Sequence, residues 1–409
     1  MATKIDSETS WIPFTGNSAI VDQPIVSSTL FSYSLNCELT GPEHSMLFTD
    51  IFYLKYLVPG IVVYFACLII VLTKAWHGKH SFDTLEGVQK FHCGMTPRIG
   101  GVALMSGLIS AWLIFPRPLS HMLGQMLVAC VPAFLAGLLE DFTKRVGVLQ
   151  RLLATVFSGV VAYWLTGYTL NKVEVVGIDI LLGWLPVSIV FTSIAIGGIA
   201  NAVNMIDGFN GLAAGTLMIG FGAFGIIAMN VRDSQLAILC LLFIIVLAGF
   251  MLLNFPFGKI FMGDGGAYMM GFFLAWVAVL LPLRNNQVSK WASVVVCAYP
   301  IIELFFSIWR KHKRDGHHPG KPDQVHFHML IYRRFVCIRF PNLSNTLKNS
   351  MASVVIFPFP LLSSTLAVFS YSRNIFLLES LVICVVIYLW IYYRLTRFVW
   401  FKMEGKSSL

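Results

Sequence analysis

The sequence predicts an all-α polytopic membrane protein with about eleven transmembrane helices, the N-terminus outside and the C-terminus cytoplasmic. Three observations carry that reading. The 409 residues are 57% hydrophobic and only 12% charged, about half the roughly 25% charge of a soluble domain. Apolar runs of about 20 residues, long enough to cross a hydrocarbon core, recur along the chain. Lys and Arg gather in alternate loops, the bias that orients membrane proteins.

The spans run approximately over 51–73, 98–115, 122–139, 149–168, 182–203, 211–230, 235–253, 265–283, 290–309, 351–371 and 374–396. Each must be a helix, because lipid offers backbone polar groups no other partner and no segment alternates as a barrel strand does. With eleven alternating spans, Lys74, Lys79 and Lys90 share a side with Lys144, Arg145 and Arg151. The most basic loop follows span nine, with Arg310, Lys311, Lys313, Arg314, Lys321, Arg333, Arg334, Arg339 and Lys348, and the tail adds Arg394, Arg397, Lys402 and Lys406. That side is cytoplasmic; the other holds only scattered charges such as Lys172, Arg232, Arg284, Lys290 and Arg373. The net charge of +9 reflects this bias and a pull toward anionic headgroups or phosphate substrates. It argues against nucleic acid as a partner, since the basic residues flank spans rather than form a domain. The eight cysteines are scattered without paired spacing and read as small core residues.

Residues 1–50 form an acidic, Ser/Thr-rich extension, expected to be poorly ordered, with one Lys against six acids and no apolar signal core. Translation from Met46 is the alternative start, which a peptide from residues 1–45 in the native protein would exclude. Residues 51–398 form one membrane-embedded domain with a cytoplasmic loop at 310–350, and 399–409 a basic cytoplasmic tail. No internal repeat is present.

Polar residues near hydrocarbon are costly and mark functional sites. Here they occur in five segments on the cytoplasmic side, which places a catalytic cleft on that face. In Gly94-Met-Thr96-Pro97-Arg98-Ile-Gly100-Gly101, Thr before Pro suits a helix start. Arg98 and the glycines either approach a phosphate or serve snorkelling and helix packing. Gly137-Leu-Leu-Glu140-Asp141-Phe-Thr-Lys144-Arg145 ends span three; adjacent helical residues diverge by about 100°, so Glu140 and Asp141 share a target only if the helix ends there. Asn201, Asn204 and Asp207 make one polar stripe on a helix, and Gly208 and Gly211 free the backbone beyond it; the alternative is an interhelical hydrogen-bond ladder. In Phe261-Met-Gly263-Asp264-Gly265-Gly266-Ala267, Asp264 is a candidate metal ligand or a helix cap. The fifth segment carries Asp315, His317, His318, Asp323, His326 and His328; if Val325–Met329 is extended, His326 and His328 point to one side. Zinc is disfavoured for want of cysteine partners, and His and Arg that hold phosphates fit better. Hard carboxylates, basic groups and Gly-rich loops together suggest a Mg²⁺-bridged diphosphate.

These motifs, TPRIGG at 96–101, GLLEDFTKR at 137–145, NAVNMIDGFNGLAAG at 201–215, FMGDGGA at 261–267 and PDQVHFH at 322–328, resemble the polyprenyl-phosphate N-acetylhexosamine-1-phosphate transferases over residues ~50–400. The span count looks more like the N-acetylglucosamine-phosphate branch than the ten-span phospho-MurNAc-pentapeptide translocase. The resemblance implies a glycosyltransferase that moves a sugar 1-phosphate from a UDP-N-acetylhexosamine to undecaprenyl phosphate, releases UMP, and starts a lipid-linked surface glycan such as O-antigen. It implies Mg²⁺, with Mn²⁺ as the alternative ion, and a multi-pass protein of the bacterial inner membrane. Homodimerisation is suggested by the resemblance alone. Residue by residue, it makes Glu140, Asp141, Asp207 and Asp264 catalytic, with Asp264 on the metal and Asp141 a second candidate ligand. It assigns substrate contacts to Arg98, Lys144, Asn204, Asn210, Phe261 (against uracil), His326 and His328. Three residues depart from the pattern: Glu140 for a usual Asp, Asn210 for a second Asp, and Met329 for a usual His. They point to a modified sugar, such as a deoxy-N-acetylhexosamine, rather than the peptidoglycan precursor. The competing readings are a membrane transporter, which should carry polar groups near mid-membrane, and a Mg²⁺-dependent membrane prenyltransferase, whose NxxxD or DxxxD spacing is missing here.

Overall fold

The computed structural model describes the main chain of residues 42–76, 82–83, 96–313 and 325–397, with side chains over 55–76, 96–313 and 325–397. Residues 1–41, the tail at 398–409 and the loop residues Asp315, His317, His318 and Asp323 lie outside the described residues. The chain divides into two units at Leu54/Lys55, and the second, Lys55–Leu409, contains the helical bundle.

All eleven apolar segments are helical. They are α1 (Pro42–Leu72), α2 (Gly100–Ile114), α3 (Leu119–Thr143), α4 (Val148–Thr166), α6 (Leu185–Ile206), α7 (Leu212–Asn230), α8 (Ser234–Asn254), α9 (Gly263–Arg284), α10 (Lys290–Val296) with α11 (Ala298–Lys313), then, after the loop, α14 (Asn345–Ile356) with α15 (Pro358–Ser370), and α16 (Asn374–Thr396); a short additional helix, α5 (Ile178–Leu182), precedes α6. Helix α1 starts within the segment expected to be poorly ordered.

The number of crossings differs from the expectation of eleven. Among the described residues nine helices are long and apolar enough to span a bilayer, or ten if α10 and α11, bent by 75°, count as one. Helix α2 has 15 residues, roughly 22 Å of rise, which falls short of a ~30 Å hydrocarbon core. The protein is a multi-pass membrane protein on either count.

Two further differences concern loops. Thr96–Pro97 is not a helix start but a strand (β2) paired antiparallel with Phe82–Asp83 (β1), and α2 begins at Gly100. The residue before a proline is pushed toward extended backbone, and that preference prevails. The segment expected to be extended is also different: His326 is extended at φ −61, ψ 149, but Phe327–Ile331 is a helical turn (α12). A π-helical turn (Tyr332–Val336) and a short helix α13 (Cys337–Arg339) follow.

Helix α9 is the axis of the bundle. It is buried along 94% of its apolar window and packs against α2, α3, α6 and α7. Such a helix is apolar all round, and here it carries Tyr268, Phe272, Phe273 and Trp276 into the core. Its N-terminus therefore opens among the ends of its neighbours, and the unusual motifs meet there.

Candidate functional site

The site is assembled backbone against backbone. The Phe261 amide donates to the Pro97 carbonyl at 2.9 Å, Gly100 donates to Phe261 at 2.9 Å, and Gly101 donates to Met262 at 2.8 Å. These bonds tie the first motif to the fourth. On the other flank, a Cβ added to Gly137 would lie 2.6 Å from the Asp264 carbonyl and the Gly265 nitrogen. Gly101 likewise lies against Gly265 and Gly266. Only glycine at these positions lets α2 and α3 approach so closely. Gly263 adopts φ +73, a left-handed turn that starts α9 and that other residues disfavour.

Asp141, one helical turn after Gly137, is 1% exposed. Its two carboxylate oxygens accept the amides of Asp264 at 2.8 Å and Gly265 at 2.9 Å. First-turn amides of a helix have no partner within it and favour a negative charge, so Asp141 caps α9 from another helix. The Arg98 Nε lies 3.5 Å from the same carboxylate.

Asp264 is held differently. Its carboxylate pairs with Arg98 from one side and Arg151, at the start of α4, from the other. The Arg151 guanidinium also stands 5.8 Å over the Tyr268 ring. Tyr268 is one turn along α9 from Asp264 and donates its hydroxyl to Asn201 Oδ1 at 2.8 Å, with Asn204 as a further side-chain partner. Helix α6 thus presents its Asn201/Asn204 stripe to the face of α9 that carries Asp264. Asp207 follows directly as the C-cap. Burial pushes its carboxyl up to about 7, against the opposing pull of Arg98.

Glu140 and Asp141 go separate ways, as their helical spacing predicts. Helix α3 continues to Thr143, and Glu140 accepts the Val146 amide at 2.8 Å across the following turn. Lys144, exposed and left-handed at φ 56, donates its Nζ to the Asp141 carbonyl at 2.9 Å. Phe261 is half-buried beside Gly100.

Asn210 differs from the expectation of substrate contact. It is 2% exposed, and its amide nitrogen donates to Pro256 O at 3.3 Å and Ser350 Oγ at 3.1 Å. Its backbone nitrogen donates to Asn349 Oδ1 at 2.7 Å, and Ser353 donates to its carbonyl at 2.7 Å. Asn210 thereby fastens α14 to the α6–α7 turn. A neutral carboxamide suits that buried place where a carboxylate would not.

The fifth motif reaches the same end of the bundle. The imidazoles of His326 and His328 are parallel with centroids 5.5 Å apart, and His328 packs edge-on against Phe209 at 5.4 Å. A Cβ on Gly208 would lie 3.3 Å from His328 Nε2. Burial pushes the His328 imidazole down to about 3, which Glu303 only partly offsets.

Arg151, Tyr268 and Glu303 belong to this site although the motifs do not single them out. Arg151 is signalled only as one more basic residue near a span, and Tyr268 only by its i+4 spacing from Asp264. Glu303 is the sole acid in the apolar stretch of span nine, a signal that was open to reading.

Among the described residues no three His, Cys, Asp or Glu side chains converge as a preformed metal cage. The donors that are present, carboxylate oxygens, are of the kind Mg²⁺ takes, and Mg²⁺ is commonly held by one or two carboxylates plus substrate phosphates. Asp264 fits that arrangement once substrate phosphates take up Arg98 and Arg151, which hold its two oxygens here, whereas both Asp141 oxygens are committed to the α9 backbone amides.

Comparison with known proteins agrees with this geometry. The family model described as glycosyl transferase family 4 matches residues 123–282, a stretch that holds Glu140, Asp141, Asp207 and Asp264. The undecaprenyl-phosphate alpha-N-acetylglucosaminyl 1-phosphate transferase of Yersinia pestis is 29% identical over 60% of this chain and 68% of its own length. That of Escherichia coli (strain K12) is 28% identical over 60% and 67%. The phospho-N-acetylmuramoyl-pentapeptide-transferase of Bacillus velezensis is 32% identical over 57% of this chain and 74% of its own length. With the motifs of TPRIGG, GLLED and GDGGA joined at one helix terminus and relatives of this extent, the chain belongs to glycosyl transferase family 4.

Proposed function

We propose that this chain transfers an N-acetylhexosamine 1-phosphate from a UDP-sugar to undecaprenyl phosphate, releases UMP, and starts a lipid-linked surface glycan, O-antigen or a related polysaccharide. The observation that carries the reading is the Asp264 carboxylate gripped by Arg98 and Arg151 at the N-terminus of α9. Guanidinium groups that converge on one oxyanion suit phosphate oxygens as well as carboxylate. Several partly buried acids beside them would repel a diphosphate unless a divalent cation accompanied it.

In the proposed reaction an oxygen of the lipid phosphate attacks the sugar-bearing phosphorus, and the bond from that phosphorus to the UMP oxygen breaks. Arg98 and Arg151 hold the diphosphate oxygens and offset the charge that gathers on the leaving UMP. Asp141 keeps the α9 terminus against α3, so that Asp264 stays in register with the arginines. Asp207, with its carboxyl near neutrality, accepts a proton should the lipid phosphate arrive singly charged. Asp264 would hold Mg²⁺, or Mn²⁺, together with the substrate diphosphate. The ion would neutralise diphosphate charge when bound.

The basic loops favour a cytoplasmic position for this end of the bundle in a bacterial inner membrane, where a UDP-sugar is available. Undecaprenyl phosphate reaches it from the surrounding lipid. The clustering of polar groups at one end of the bundle, rather than at its middle, favours this reading over a transporter.

The test is UMP release by purified protein given undecaprenyl phosphate, Mg²⁺ and a panel of UDP-N-acetylhexosamines, including deoxy sugars. UMP that depends on lipid and metal and comes from one sugar is the expected result. No UMP from any sugar, with the protein verifiably folded, overturns the reading.

A further inference from the structure

Glu303 lies in α11 and is 0% exposed, where an unpaired carboxylate would be very costly. Three groups converge on it. His326 Nδ1 stands 2.9 Å from Oε1, the Phe327 amide donates to the same oxygen at 3.2 Å, and the Tyr388 hydroxyl donates to Oε2 at 2.7 Å. A carboxylate facing Nδ1 leaves that nitrogen only one role, as the protonated donor. The other ring nitrogen, Nε2, makes no hydrogen bond among the described residues and is not among the buried polar atoms that lack a partner. It is the nitrogen of His326 with access to something outside the protein.

The surroundings fix the ring as well as its tautomer. The Phe327 hydrogen bond ties the main chain after His326 to the same carboxylate, and Tyr388 packs tilted at 4.8 Å from Phe327 and edge-on at 5.5 Å from Phe306. Tyr392 donates to the Val325 carbonyl at 3.1 Å from the next turn of α16. The ring is thus held from both main-chain sides and lies parallel to His328, which meets the Asp207-Gly208-Phe209 turn.

We propose that Glu303 is a positioning residue for His326: it fixes Nδ1 as the protonated nitrogen and so turns the Nε2 lone pair to the substrate, where it accepts the hydrogen bond of a P–OH group on a singly protonated phosphate. The same device, a carboxylate behind a histidine, orients imidazoles at metal sites, where its loss costs 10–100-fold. The inference rests on the proposed reaction for the identity of the ligand, but not for the tautomer.

The experiment has two readouts. The first is UMP release in a cycle of Glu303→Gln, His326→Asn and the double variant. Glu303→Gln keeps the volume and a hydrogen bond to Tyr388, so the protein folds, which thermal unfolding in detergent checks. Its expected loss is about 10-fold or more in turnover, shrinking to under about 2-fold when His326 is already Asn. Equal losses in both backgrounds would mean that Glu303 acts on the fold and not through His326, and wild-type turnover in Glu303→Gln would also overturn the proposal. The second readout is the ¹⁵N spectrum of labelled histidines, with His326 identified by its disappearance in His326→Asn. A single Nδ1–H form in the wild type that becomes mixed in Glu303→Gln supports the proposal, and an Nε2–H form in the wild type overturns it. The second readout needs no substrate, so failure of the proposed reaction leaves it standing or falling by itself.

Discussion

Replacing Gly137 by alanine is the sharpest test of how this site is built. The new Cβ would lie 2.6 Å from the Asp264 carbonyl carbon and oxygen and from the Gly265 nitrogen. All three are backbone atoms, so no side-chain rotation relieves the overlap. To move from 2.6 Å to the 3.4 Å at which ordinary contact begins, α3 and the start of α9 must separate by about 0.8 Å. Asp141 sits one turn further along the same face of α3. Its bonds of 2.8 and 2.9 Å to the α9 amides would lengthen by a similar amount and leave hydrogen-bond range. Overpacking of this kind costs about 1–3 kcal/mol, and displacing a reacting group by about 1 Å can cost 10²-fold in rate. Gly198→Ala is the control, since nothing lies within 4 Å of a Cβ there; a helix interior gains from that change. UMP release and thermal unfolding in detergent should show Gly137→Ala losing roughly 10²-fold in turnover with a lowered Tm, and Gly198→Ala keeping both. Turnover of Gly137→Ala within about 3-fold of wild type, a small part of the 10²-fold loss expected, would refute the claim that close backbone approach holds Asp264 in place.

Asp264→Asn and Asp207→Asn should abolish UMP release while the folded protein is retained, and near-normal turnover in either would remove its proposed role. Glu140→Asp should keep turnover, because Glu140 is bonded to the Val146 amide rather than to the Asp264 cluster, at a stability cost of about 1 kcal/mol for the weakened bond; complete inactivity would show that the site is built around Glu. His328 titrates at about 3 in the fold, chiefly because it is buried, so the unfolded chain binds the extra proton first as pH falls below about 6.5. Stability carried by neutral His328 is therefore full above that pH and is lost toward pH 3 at up to about 1.4 kcal/mol per unit. Asp207 works in the opposite sense, its raised pKa favouring the fold most below about 3.8 and losing that benefit as pH rises to about 7. The Tm difference between wild type and His328→Asn should narrow or reverse between pH 7.5 and 5; a constant difference would show that His328 does not couple to the fold.

Helices were legible wherever composition alone decides them, and all eleven apolar runs are helical. What composition does not carry is geometry. Helix α2 is apolar throughout but only 15 residues long: before it Thr96–Pro97 is drawn into a strand and Pro97 is held to Phe261, and after it Phe115 is extended ahead of Pro116. Sequence spacing correctly separated Glu140 from Asp141, since a helical period needs no tertiary information. It could not show which of them meets α9. Asn210 read as a substrate ligand because the resembled family often has a second Asp there, yet its partners Asn349, Ser350 and Ser353 lie about 140 residues away. Arg151 escaped notice for the same reason: its meaning lies entirely in being opposite Arg98.

The pairing of acids with glycines in these motifs has a common physical cause. Asp141 acts on a neighbouring helix, so it needs that helix closer than a Cβ allows. Gly137 brings α9 within reach of Asp141, and Gly101 does the same from α2. Gly263 turns the chain so that the Asp264 and Gly265 amides face Asp141 while the Asp264 side chain turns to the arginines. The two aspartates therefore cannot exchange roles: one charge is consumed in placing the helix terminus, and the other is presented by it. A chain that kept the acids and lost the glycines would keep the charges and lose the site.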